Sequence, residues 1–249
     1  MPLLGTHSLE DMLADVPSDT SDASAFEDRA RDAVPDAVSA PRKRGSHLLT
    51  AASFWKLRMS SSISSRHSDV VSMLIVGASE SARATIAPHL GAYPTTLLEQ
   101  LVEHRCSIRP LRAREGYRDA STALRRLGID VDAWPVPPAG LFVVEERTVY
   151  LRSLTAMTIG HEVAHAIDCA LGGGVYRSGF DPRIRAAYAA ARAFVTPYAA
   201  TGLDEYFAES VRAYAGVFND AVSPWPAATR ERLRTCDLAM HDIVAEIFA

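Results

Sequence analysis

No run of the sequence reaches the roughly 18 consecutive apolar residues that a membrane-spanning helix needs. A helical membrane span is therefore not expected. Cysteine is scarce: Cys106, Cys169 and Cys236 stand alone, with no C-x-x-C spacing among them. Such an odd, sparse set argues against a disulfide framework. Cys169 reads as a small buried apolar residue rather than a metal ligand. There is no large excess of one charge, the net being −4, which argues against a nucleic-acid partner. The first residues, Met1 to Ser8, lack a basic segment followed by a long apolar one, so a Sec-type leader is not expected. The chain is expected to act in the cytoplasm or to leave the cell by a route without such a signal. Gly77 is a single glycine after an apolar run, too little for a phosphate-binding loop.

Apolar residues make up 48% of the chain, enough for a sizeable core. They are unevenly spread. Residues 1–40 hold nine acids and two bases, a net of −7, so the other 209 carry +3 against the chain's −4. Residues 1–47 are rich in Asp, Ser, Ala and Pro and are expected to form an unstructured acidic tail. Within it, Ser8 to Val16 has the pattern of one amphipathic helix with Ser8 as its cap. Pro41 to Gly45 is a short basic cluster at the tail's end. From Leu48 the composition becomes globular. The expected organisation is a tail over 1–47 and one domain over 48–249, with a helical part (48–140) and a second half (141–249).

The second half carries chemistry. His161, Glu162 and His165 have the spacing H-E-x-x-H, inside an apolar stretch from Leu154 to Leu171 that Gly172-Gly173-Gly174 ends. Residues four apart lie on one helix face, so both imidazoles can reach a single zinc ion at about 2.0–2.1 Å. Glu162 projects from nearly the same side, placed to take a proton from a water that the metal activates. A catalytic zinc keeps three protein ligands and one open position. The third ligand is sought in a second helix, Gly202 to Tyr214, where Glu205 and Glu209 share a face. One of those carboxylates can ligate the metal while the other holds a ligand histidine.

The motifs H-E-V-A-H-A-I-D and E-Y-F-A-E resemble the zinc peptidases of the anthrax lethal factor type, a family that includes the clostridial Pro-Pro endopeptidases. The match runs from about Leu141 to Ala249, and 39 residues separate His165 from Glu205. The resemblance implies a gluzincin in which His161, His165 and Glu205 bind Zn2+. It implies Glu162 as the acid–base residue and Tyr198, seven before Glu205, as the catalytic tyrosine. Glu209 and Asp168 match supporting carboxylates. The implied activity is endopeptidase cleavage of a protein or peptide, and, through the family and the polar tail, a secreted effector or toxin role. The alternative is a non-catalytic zinc-binding interaction module, against which the intact Glu162 and Tyr198 argue.

The rest of the chain gives the fold class. Val70 to Val76 reads as a buried strand after a Ser-rich loop at 60–68, and helices are expected at 79–87, 95–105 and 116–127. Leu141–Val144 and Thr148–Leu151 read as a hairpin, with helices at 182–194 and 228–248 closing the chain. The expectation is a mainly helical α+β, zincin-like domain with a small hairpin or sheet beside the H-E-x-x-H helix. One strand of 141–151 is expected to form a sheet edge on which an extended peptide substrate pairs.

Overall fold

The structure is a computed structural model that describes residues 65–218 and 227–249. The expected tail at 1–47, its Ser8–Val16 helix, its basic cluster and the domain boundary at 47/48 lie outside those residues. So does Pro224-Trp225-Pro226.

The described chain is α+β and mainly helical, as the sequence predicts. Residues 65–74 are helical, followed by α1 (Glu80–Leu90) and α2 (Thr95–Glu103). Strand β1 (Ser107–Pro110) comes next, then the short helices α3 (Tyr117–Ala120) and α4 (Thr122–Leu127). The hairpin β2 (Gly140–Val143) and β3 (Thr148–Leu151) leads into α5 (Ala156–Leu171). The chain closes with α6 (Pro182–Ala190), α7 (Leu203–Ala215), α8 (Arg230–Cys236) and α9 (Leu238–Ile247).

Five expectations need correction, one being the 116–127 helix, which breaks at the extended Ser121 into α3 and α4. The stretch 70–76 is not a strand. Val70, Val71, Leu74 and Ile75 are buried while Ser72 and Met73 are exposed, a one-face spacing that belongs to a helix. At its end Ile75 forms an isolated parallel bridge to Ile108, and Val76 N–H donates to Ile108 O at 2.9 Å. The same helix takes residues 65–68 out of the expected Ser-rich loop. The closing helix is broken in two at Asp237, whose extended backbone (φ −149°, ψ 81°) stops α8 and whose carboxylate caps α9 through Met240 N–H at 2.9 Å. The 182–194 helix stops at Ala190, where Ala191 turns extended.

The sheet has the order β1-β3-β2, with β1 parallel to β3 and β2 antiparallel to it. The central strand β3 is buried at all four positions. Strand β2 is therefore a free edge among the described residues. A satellite core of Tyr117, Ala123, Leu124, Val131, Val143 and Tyr150 ties α3 and α4 to the sheet.

The main core forms around α5. Twelve of its sixteen residues are buried, which makes it a core helix rather than an amphipathic surface one. Thr155 caps it, accepting from Thr158 N–H at 3.2 Å. Helix α7 packs against it and buries Tyr206, Phe207 and Val211, all 1% exposed or less. Truncating one such residue to Ala typically costs about 2–5 kcal/mol. The two helices approach closely at Gly160. A Cβ there would stand 2.8 Å from Val217 Cγ1 and 3.0 Å from Arg212 Cγ. The one glycine inside the H-E-x-x-H helix is thus needed by its neighbour.

Candidate metal centre

Helix α5 presents His161 and His165 one turn apart, with ring centroids 4.7 Å apart and planes at 85°. Their Nε2 atoms face each other at 3.0 Å. Glu205, in the first turn of α7, brings Oε2 to 3.0 Å from His161 Nε2 and 3.4 Å from His165 Nε2. The three donor atoms lie within 4.8 Å of one another, a group that could hold a metal ion. Ligands about 2.0–2.1 Å from a tetrahedral ion stand roughly 3.3 Å apart, so the observed spacing fits. Glu205 Oε2 is buried and has no hydrogen-bond partner among the described residues. Buried polar atoms left so are costly. Convergence on one cation removes that cost.

The local field also favours positive charge at this point. Burial opposes a charge on His161, but the carboxylates of Glu205 and Glu209 outweigh it and push its pKa up to about 10. Burial works against ionisation of Glu205 too, yet the two imidazoles hold its carboxyl well below the ordinary range. A cation, whether proton or metal ion, is what this arrangement stabilises.

Behind His161, Nδ1 stands 2.9 Å from Glu209 Oε1. Glu209 is 4% exposed and also accepts from Thr196 Oγ1 at 2.7 Å, Arg212 Nε at 3.0 Å and Arg212 Nη2 at 2.7 Å. His165 has no such support: its Nδ1 is buried without a partner among the described residues.

Glu162 is 8% exposed beside the two histidines. Burial raises its pKa, and the charges of His161 and His165 only partly offset that. Tyr198 opens a 3-10 turn (Tyr198–Ala200), with its ring 5.5 Å from that of His161 and its hydroxyl donating to Glu205 Oε1 at 3.0 Å. Burial and the Glu205 charge raise its pKa, so the phenol keeps its proton.

The predicted residues His161, Glu162, His165, Tyr198, Glu205 and Glu209 therefore meet in one place. Asp168, three residues after His165, directs its carboxylate to Ser178. Its carboxylate accepts from Ser178 N–H at 2.8 Å and Ser178 Oγ at 2.5 Å. It ties the turn Arg177–Gly179 to α5, and burial lifts its pKa to about 6. Sequence reasoning misses Arg212, Thr196 and Tyr176, whose ring lies 5.6 Å from that of His165. Arg212 is three residues after Glu209 on one helix, a spacing that could have signalled the pair. Thr196 and Tyr176 sit in loops, where no periodicity points inward.

No family model and no curated protein matches this chain. Among solved structures it is similar to the Pro-Pro endopeptidase PPEP-2 from Paenibacillus alvei, with a TM-score of 0.52 and 20% sequence identity. The match covers 72% of this chain and 100% of that one. At this identity the likeness is one of fold: an α+β, zincin-like domain. No helix among the described residues is long and apolar enough to cross a membrane.

Proposed function

We propose that this protein is a zinc-dependent endopeptidase. The observation that carries the reading is the convergence of His161 Nε2, His165 Nε2 and Glu205 Oε2, with Glu162 and the Tyr198 hydroxyl beside them. Two imidazoles and a carboxylate suit zinc. When bound, zinc supplies Lewis acidity, lowering the pKa of a water at the site towards about 7.

The remaining steps belong to the chain. Glu162, its basicity raised by burial, accepts the proton of the attacking water and delivers it to the leaving amine. The Tyr198 O–H moves its hydrogen bond from Glu205 to the oxyanion that forms from the peptide carbonyl. A donor of this kind is typically worth about 2.7–4 kcal/mol in the transition state. Glu209 holds His161 by Nδ1, which aims Nε2 at the metal point.

The substrate lies on the free edge of β2. Extended backbone pairs with any peptide, so the edge contributes affinity without demanding particular side chains. Gly140 packs directly on Glu162, so this edge runs beside the acid–base residue.

The test is a peptide-library cleavage assay on the zinc-loaded wild type and Glu162→Gln. The reading expects cleavage by the wild type and a loss of about 10²–10⁴-fold in the variant with zinc retained. Zinc bound equally by both, with no cleavage by either, favours the non-catalytic binding module instead.

A further inference from the structure

We propose that Arg212 is a positioning residue for the metal centre: with Thr196 it locks the Glu209 carboxylate so that His161 can turn only Nε2 to the metal point. The inference rests on the metal-centre reading above and deepens it.

A carboxylate offers about four acceptor positions, two on each oxygen. In Glu209 all four are filled. Oε1 takes His161 Nδ1–H at 2.9 Å and Arg212 Nε–H at 3.0 Å. Oε2 takes the Thr196 hydroxyl at 2.7 Å and Arg212 Nη2–H at 2.7 Å. Two of these come from one rigid guanidinium fork, which fixes the plane of the carboxylate as a flexible ammonium could not. Arg212 is itself held. It is 3% exposed, its Nη1 donates to Val217 O at 3.3 Å, and its stem lies on Gly160, the residue before His161.

Thr196 extends the lock. Its Oγ1 donates to Glu209 and accepts from Ala199 N–H at 3.3 Å, inside the turn that carries Tyr198. One buried network thus sets both the first imidazole and the tyrosine. His165, with an Nδ1 unpartnered among the described residues, has no equivalent. Of the two histidines, damage to the network therefore reaches His161 and not His165.

The test uses the whole chain and three variants, Arg212→Lys, Arg212→Met and Thr196→Val. Two quantities are read. One is the zinc dissociation constant, by chelator competition. The other is the exchange rate of the His161 Nδ1–H proton, by nitrogen-edited NMR on metal-free protein. Circular dichroism checks folding. The wild type is expected to show a slowly exchanging Nδ1–H. The variants are expected to show faster exchange and zinc binding weakened about 10–100-fold, Arg212→Met most. Should Arg212→Met fail to fold, the lysine and valine variants still decide. Folded variants with zinc affinity and Nδ1–H exchange within about twofold of wild type, far short of the loss expected for a supporting partner, would make Arg212 a merely structural residue and overturn the proposal. A wild type that binds no zinc would instead sink the metal-centre reading, while the Nδ1–H exchange would still judge the lock.

Discussion

The backbone of Gly140 lies against the side chain of Glu162: a Cβ at Gly140 would stand 2.5 Å from Glu162 Cγ and 2.8 Å from Thr158 Cγ2. The edge strand and Glu162, the proposed acid–base residue, are therefore set by one contact. Gly140→Ala must move β2 or Glu162. Displacements of about 1 Å can cost about 10²-fold in rate. We expect that loss in kcat/KM with zinc content unchanged, measured on the best library peptide.

Tyr198→Phe removes a hydroxyl that Glu205 holds in the resting site. The variant is expected to fold and to keep its zinc, because His161, His165 and Glu205 are untouched. Its kcat should fall about 10²–10³-fold with KM little changed, the mark of a contact made in the transition state. A rise in KM with kcat unchanged would place Tyr198 in substrate binding instead.

Asp237 joins two helices to the core. It caps α9, and the Tyr206 hydroxyl donates to its other oxygen. Tyr206 is 1% exposed, so losing that partner strands a buried phenol. Asp237→Ala should destabilise the fold by about 2–4 kcal/mol, combining a lost cap with an unsatisfied donor. Urea unfolding measures this.

Glu146 sets an acid limit on stability. Its carboxylate accepts from Tyr150 O–H at 2.7 Å and Ala123 N–H at 2.8 Å. Burial opposes ionisation, but these donors prevail and hold its pKa below the ordinary carboxylate value. A depressed folded pKa contributes stability that is present above the unfolded value, about 4.3, and is lost as pH falls through the folded one. Glu146→Gln should cost about 1 kcal/mol at neutral pH, a modest figure because the group is partly solvated. The difference from wild type should close as pH falls below about 4.3, which urea unfolding in neutral and in acid buffer will show.

The sequence and the structure agree where a single period dominates. The H-E-x-x-H helix, the hairpin and α7 are legible because apolar spacing, caps and glycine stops point the same way. Residues 70–76 mislead because a run of apolar residues looks alike in a buried strand and a helix. Burial of Val70, Val71 and Leu74 with Met73 exposed settles it as a helix. Strand β1 is not legible because Ser107-Ile108-Arg109-Pro110 is short and carries a proline, and its place depends on pairing with β3, 41 residues on. In the site, the three candidate metal donors are legible by spacing and resemblance. The direction of Asp168 is not, because Ser178, not an imidazole, competes for its carboxylate. The Glu209–Arg212 fork needs the close approach of α5 and α7 to acquire meaning.

The central claim is that His161, His165 and Glu205 together hold one zinc ion. The most direct test is metal content by mass spectrometry on purified wild type and Glu205→Gln, after dialysis against trace zinc. The account predicts one zinc per wild-type chain and a loss of about 90% or more in the variant, which keeps only two of the three protein ligands a catalytic zinc needs. No zinc in the wild type, or equal zinc in both, would contradict it.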